Sequence, residues 1–535
     1  MPNYEHTPTI WKQWEKGLNH HRAMGYHKNF PLYERFKQGE QWPPATPRTK
    51  SLPRPVFNIV EMNIRHKRAS ILSQPMAFTF TPADTLENRR DPARASTGAD
   101  TYTDLAAQLW AHTQQDYLNT CVVDDAATLG TGIWHYYWDA QADGPDAQPR
   151  KGDIRGETID PLALVLENPT EVPLQTQKYI IIGQRTNVRE VSALAEREGL
   201  SQTLIEKITA DISGPEATYQ KESAEDTDAK CTLLTRYSRD ESGQVVFSVG
   251  VRTTMIIENR PLTPANSKGR PIRRYPIEIF TWRRCKGAAY GIGETQDLMA
   301  NQKAINFNMA MMLLSVQQTA WPKLLTKPGA LRQPVTNEPG EHIVDYQHNG
   351  DGIKFMQPPS FTNMPITLVN TMVDLTRRIT GMSEVVTGEN LGAGMAASAI
   401  LALQSQAKTP VVEIQKRLWH SMEQIGYIWL EFFGAYYGGV LPAGDVLSHL
   451  APYAYSHLSY NLSVKVGAAS EYSRALAQTT LDKMLERGDI DIDMYIELSD
   501  SNIAPFKEEF RRLRAEHSHP AQSTPTEVQH DLPLL

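Results

Sequence analysis

Apolar positions fall into two textures along the chain. From Phe57 to Leu72, FNIVEMNIRHKRASIL sets Val60 and Ile64 one helical turn apart, with Ile59 and Met62 beside them, and predicts a partly buried helix. A strand, MAFTFTP, follows Pro75. Tyr102 to Leu129 reads as one helix stopped by Gly130 and Gly132. Between Ile133 and Phe280 the runs IWHYYW, KYIII, CTLLTRY, VVFSVGVRTTMII and YPIEIF are aromatic and β-branched, which predicts an antiparallel or mixed sheet module. One or two helices interrupt it at Asn187–Lys207, and a charged loop at Ser213–Lys230.

Three long helical patterns come next. The first, Glu294–Ala320, aligns Leu298, Ile305, Met309, Met312 and Val316, and Trp321-Pro322 ends it. The second aligns Leu368, Met372, Leu375 and Ile379, and Gly381 closes it. The third, Met395–Phe433, carries Val411, Ile414, Leu418, Met422, Ile425 and Trp429 on one face, and Pro410 should kink or divide it. Between the first two lies a Pro/Gly-rich excursion, Lys323–Phe361, with strand candidates at Glu341–Tyr346 and Gly352–Met356. A strand at Asn461–Gly467, a helix at Glu471–Arg487, an acidic stretch and a basic helix at Pro505–Ala515 complete the pattern. The first 55 residues, rich in Pro, predict a short helix and an extended arm. The fold class is therefore α+β.

Composition narrows the field. With 54 basic and 61 acidic residues among 535, the formal charge is −7, so no global polycation is available to coat a nucleic acid. Three separated cysteines, Cys121, Cys231 and Cys285, fit free thiols rather than a disulfide scaffold. The N-terminus lacks the basic-then-apolar order of a secretory signal. The stretch Ile305–Val316 is too short to cross a bilayer.

Enzyme signatures are weak or absent. GxxxxGK[ST] and GxSxG do not occur. Gly392, Gly394 and Ala397 spell GxGxxA, yet a charged loop rather than a strand precedes them, which favours a close-approach loop over a dinucleotide site. Asp489, Asp491 and Asp493 fail as a calcium loop because Met494 stands where Gly is needed. His20, His21 and His27 read as surface histidines. Arg273, Arg274, Arg283, Arg284 and Lys286 form a basic patch, better suited to pairing with acidic groups between subunits than to phosphate contact. The chain is expected to be no enzyme and to hold no cofactor or metal.

One stretch organises the rest. Residues 283–316 contain Tyr290, Gly291 and Gly293 in a YGxG-like turn, then Gln296, Asp297, Asn301, Gln302 and Asn306 in a polar QxxxN-like helix. This resembles the portal proteins of tailed double-stranded DNA bacteriophages. The resemblance continues through Ile379, Thr380, Gly381 and Met382 into a Gly-rich loop and covers about Pro55 to Glu516. It implies a ring subunit with wing, helical stem, clip and crown. The implied boundaries are an N-terminal arm 1–54, first wing part 55–292, stem helix 293–322, clip 323–361 and second stem helix 362–382. A tunnel loop 383–395, a long kinked helix with the second wing part 396–469, a crown 470–516 and a flexible tail 517–535 follow.

The resemblance also implies the roles. A ring at a capsid vertex passes and retains double-stranded DNA without sequence specificity, and docks terminase large subunit and head-tail adaptor or tail proteins. It meets capsid or scaffolding protein and assembles in the host cytoplasm, away from membranes; another oligomeric connector is the alternative, and a dinucleotide-binding enzyme a more distant one. Tunnel-loop residues would be Glu384, Gly388, Glu389, Asn390, Leu391, Gly392 and Gly394. Clip docking would use Lys323, Lys327, Arg332, Glu338 and Glu341. Stem packing would bury Leu298, Ile305, Met309 and Met312 against Leu368, Met372, Leu375 and Ile379. Twelve helices packed about 10 Å apart place their axes on a circle roughly 38 Å across, leaving a bore of roughly 28 Å, enough for a duplex.

Overall fold

The structure is a computed structural model. It describes residues 9–140, 142, 152–171, 173–211, 229–320, 324–331, 342, 344, 352–355, 364–381, 409–437, 452–466 and 471–498. The chain divides into two compact units, residues 1–72 with 77–465, and residues 73–76 with 466–535.

The larger unit opens with helices α1 (Thr9–Ala23) and α2 (Tyr26–Lys37). These replace the expected short helix and arm: Ile10, Trp11, Trp14 and Leu18 share one face of α1 and are buried against Val165, Ile181 and Leu234. Two fully buried indole side chains fix this segment to a sheet, so the Pro-rich stretch begins only after α2. Helix α3 (Ile59–Ile71) starts at Asn58, whose side chain accepts from the Glu61 amide. Strand β1 (Met76–Pro82) and the short helix α4 (Leu86–Arg90) lead to α5 (Pro92–His112) and α6 (Gln115–Leu129).

The single helix expected over 102–129 is thus two. Gln114 takes a left-handed φ of 51° between them, a cost of about 1–2 kcal/mol for a non-glycine residue. The break sets Gln115 where its side chain donates to Asn119 and accepts from the Tyr136 hydroxyl. These buried polar contacts have no periodic signature.

Strands β2 (Thr131–Asp139) and β3 (Asp153–Thr158) follow, then β4 (Leu164–Leu166) and β5 (Tyr179–Asn187). Helices α7 (Val188–Arg197) and α8 (Gln202–Ile205) precede β6 (Lys230–Arg239), β7 (Val245–Gly250), β8 (Met255–Pro261) and β9 (Ile277–Thr281). All pairings are antiparallel: β4-β5-β6-β7-β8 form one sheet and β3-β2-β9 another. Val191, Ala195, Ile205 and Ile208 pack α7 and the residues around α8 onto the five-stranded sheet, as the apolar alternation of its strands requires.

Helix α9 (Glu294–Ala320) has the bounds its pattern predicts. Strands β10 (Leu324–Thr326) and β11 (Ile353–Phe355) pair with each other, whereas His342 and Val344 of the predicted strand 341–346 lie in neither helix nor strand. Helix α10 (Met364–Thr380) ends at Gly381, whose φ of 72° makes it the C-terminal stop. Helix α11 (Thr409–Tyr436) places Pro410 in its first turn, where a missing N–H forfeits no bond; residues 395–408 of the predicted long helix lie outside the described residues.

Strand β12 (Tyr460–Val466) pairs with β1. Around α11, Trp429 stands edge-on to Phe78, Trp110 and Tyr136, the aromatic core of the larger unit. In the smaller unit, α12 (Glu471–Arg487) and α13 (Ile492–Leu498) are joined through Gly488 at φ 73°. There the Tyr495 hydroxyl donates to Asp482 at 2.6 Å.

Candidate functional site

The YGxG turn is a packing device. Tyr290 is buried, and its hydroxyl reaches the carbonyls of Pro161 and Leu164 at 2.8 and 2.9 Å. Gly291 donates its N–H to Thr131 Oγ1 at 2.9 Å. A Cβ on Gly130 would stand 2.3 Å from Gly291 O, and one on Gly293 would stand 2.7 Å from Thr128 O. Three backbones therefore meet where α6 ends and α9 begins, which only glycine permits.

Glu294 opens α9 from within the body. Its carboxylate accepts from Lys67 Nζ at 2.6 Å and from Trp282 Nε1 at 2.9 Å. An anion in the first turn also suits the helix dipole.

About two and three turns later, Gln302 and Asn306 close a buried latch on the N-terminal segment. Gln302 Oε1 accepts the Ile59 N–H at 2.8 Å while Nε2 donates to Phe57 O at 2.6 Å, so the amide pairs with the backbone as a strand would. Gln302 also donates to Asn306 Oδ1, and Asn306 donates to Gln41. Gln41 in turn donates to Phe36 O and to Asn58 Oδ1, the cap of α3. Every polar group in this chain of contacts is satisfied, the condition under which a buried network specifies one arrangement. The sequence flagged Gln302 and Asn306, but their partners Gln41, Phe57 and Asn58 lie some 250 residues away and carry no local signal.

Burial along α9 is graded. Leu298 and Ile305 are buried, Met309 and Met312 half-buried, and Phe307, Met311, Leu313 and Val316 exposed. Helix α10 lies alongside with Met372 Sδ 3.8 Å from Asn308 Nδ2 and Thr376 Oγ1 3.5 Å from Asn301 Nδ2. Its buried positions are Val369, Thr376 and Thr380. Within one chain Leu368, Leu375 and Ile379 are 43%, 49% and 69% exposed, and Met372 of the expected stem set turns toward α9. The reason is a rotation of about one residue, since the small Thr376 and Thr380, each bonding back to its own helix, permit closer approach than leucine.

The two ends of the Gly-rich segment come together, because a Cβ on Gly381 would lie 2.8 Å from Pro410 Cγ. Glu384, Gly388, Glu389, Asn390, Leu391, Gly392 and Gly394 lie outside the described residues, as do Lys323, Arg332, Glu338 and Glu341. Lys327 is exposed beside the β10–β11 pair, its N–H bonded to Gly352 O.

Other readings shift. Arg283 pairs with Asp297 at 2.6 Å and Arg274 approaches Glu431 at 3.8 Å, so part of the basic patch is matched inside the chain. His21 is not a surface residue: it is 3% exposed, packs against Tyr26, His27 and Tyr290, and burial, reinforced by His27 and His20, lowers its pKa to about 3. Burial raises Glu278 to about 8 against the opposing Ser421 hydroxyl and Arg274. Burial, with Asp160, Asp124 and Glu34 nearby, raises Asp125 to about 7. Among the described residues no three His, Cys, Asp or Glu side chains are placed to hold a metal ion. No described helix is long and apolar enough to cross a membrane.

Residues 207–439 match the family model described as Phage P22-like portal protein. The match spans part of the sheet module, the glycine turn and all of α9 and α10. No curated protein matches the chain.

Proposed function

We propose that this chain, a phage portal protein by the match over residues 207–439, closes into a ring whose central channel passes and retains double-stranded DNA at a capsid vertex. The family is structural and non-enzymatic. The observation that carries the ring is the pair α9 and α10, which exposes Phe307, Met311, Val316, Leu368, Leu375 and Ile379 in one chain. An apolar side chain moved from water to a fully buried contact contributes about 1.5–3 kcal/mol. A neighbouring copy presenting the same pair covers these faces, and a repeated heterologous contact closes as a ring.

In this reading residues 55–292 build most of the wing and the two helices build the stem. Residues 323–361, including the β10–β11 ribbon and Lys327, form the clip that meets terminase and later the adaptor. Residues 383–395 line the channel and 470–516 form the crown. The channel is passive. Twelve times the formal −7 is −84, and such a net charge discourages phosphate adhesion, so DNA slides under a motor supplied by the terminase.

Native mass measurement with electron micrographs of the purified chain tests the proposal. Twelve copies of a 60.2 kDa chain give a particle of about 720 kDa with an open centre. A compact monomer across assembly conditions would sink the reading.

A further inference from the structure

A cavity of about 500 Å³ lies between the connection from β8 to β9 and one flank of α11, walled by Tyr102, Tyr427 and Tyr460. Three arginines line it, Arg270, Arg273 and Arg274. Like charges gathered in one concavity repel unless something neutralises them.

Neutral partners orient Arg270 and Arg274, and Glu431 offsets only part of the charge on Arg274. Arg270 Nη2 donates to the carbonyl of His457, and Arg274 Nη1 donates to Gln424 Oε1 at 3.1 Å. The Arg274 guanidinium also sits 4.9 Å from the centre of the Tyr427 ring, a cation–π contact that fixes its plane. The exposed Arg273 side chain has no partner among the described residues. A carbonyl, an amide and a ring hold direction, and a surplus of positive charge stays.

Among the described residues Glu431 is the one carboxylate lining the cavity. One of its oxygens already accepts the backbone N–H groups of Arg273 and Arg274 at 2.8 and 2.9 Å, and the other stands 3.8 Å from Arg274 Nε. Burial raises its pKa. It braces the turn that carries the arginines and leaves a cationic surplus facing the cavity.

We infer that this cavity is a binding site for a multiply charged phosphate-type oxyanion, held by the forks of Arg270, Arg273 and Arg274. Guanidinium forks match the spacing of phosphate oxygens and keep their charge at any physiological pH. Phosphate chemistry has two sources here, a free polyphosphate and the backbone of a duplex.

Calorimetric titration of the full chain with pyrophosphate at low salt tests the inference. One saturable site per chain is expected, and Arg273→Ala should weaken it about tenfold, the loss of one charge-assisted contact. Arg189→Ala, on the exposed flank of α7, should leave it unchanged. Unaltered thermal unfolding of Arg273→Ala would show that the fold persists. If a short DNA duplex displaces pyrophosphate, and does so only with Arg273 present, the source is the backbone; if it fails to displace it, the source is a free oxyanion. Absence of saturable pyrophosphate binding, or equal weakening by Arg189→Ala, overturns the site.

Discussion

At the scale of single residues, the root of α9 depends on side-chain amides acting as backbone. Gln302→Leu would strip the Ile59 N–H and the Phe57 carbonyl of all but their bond to each other and take the acceptor from the Val60 N–H, at about 1–3 kcal/mol for the buried group left unmatched. A chain of two compact units does not unfold in one step, so the readout is local. Amide hydrogen exchange at Ile59 and Val60 should accelerate by at least about tenfold, while amides of β5 and β6 stay protected. Unchanged exchange at Ile59 would contradict the latch.

Two titrations at this scale have opposite signs. His21 ionises at 6.5 when unfolded and at about 3 in the fold. The unfolded chain therefore gains its proton first, and the stability that neutral His21 carries above pH 6.5 is lost as pH falls toward 3. Glu278 moves from 4.5 up to about 8, so the fold favours its protonated form. Its cost is absent below pH 4.5 and complete above 8. Glu278→Gln should raise stability at pH 9 and leave it unchanged at pH 4. Unfolding midpoints of the larger unit at the two pH values, followed by the tryptophans, all of which it holds, measure the difference, and equal gains at both would refute the assignment.

At the scale of elements, α9 and α10 separate folding from assembly. Leu298→Ala empties a fully buried position in α9 and should cost the chain about 2–5 kcal/mol. Leu375→Asp changes a half-exposed position in α10 and should shift chain stability by no more than about 0.5 kcal/mol. It should nonetheless abolish rings, because a charge would enter the contact between copies. Size-exclusion chromatography with melting curves separates the two effects. Normal ring yield from Leu375→Asp would remove α10 from the interface.

At the same scale the apolar periodicity made α3, α9 and most strands legible, and the glycines made their ends legible. The phase of α10 was not legible. Leu368, Leu375 and Ile379 outweigh Thr376 and Thr380 in hydrophobicity, but helix pairing also rewards small residues that let axes approach. The break at Gln114 escaped notice because no glycine or proline marks it. The indoles of α1 stood in plain view, yet the sheet they cover is 150 residues away.

At the scale of the whole molecule, assembly and DNA handling should be separable as well. Glu389→Ala should leave ring mass unchanged and alter retention of packaged DNA, since the reading sets this side chain toward the channel. Particle mass and nuclease-protected DNA per particle measure the two outcomes. Joint loss of both would contradict the division of labour.

By itself the sequence determined which segments become helices and strands, the absence of familiar nucleotide and hydrolase motifs, and the glycine turn that points to the portal family. Those are local matters of side-chain volume, backbone freedom and repeat period. Tertiary structure alone decided which face of α10 meets α9, that Gln302 grips the segment before α3, and that three arginines share one cavity with the half-buried Glu431. Each of these joins residues distant along the chain, and the free energy of such a contact depends on what burial removes from water, a quantity no local pattern contains.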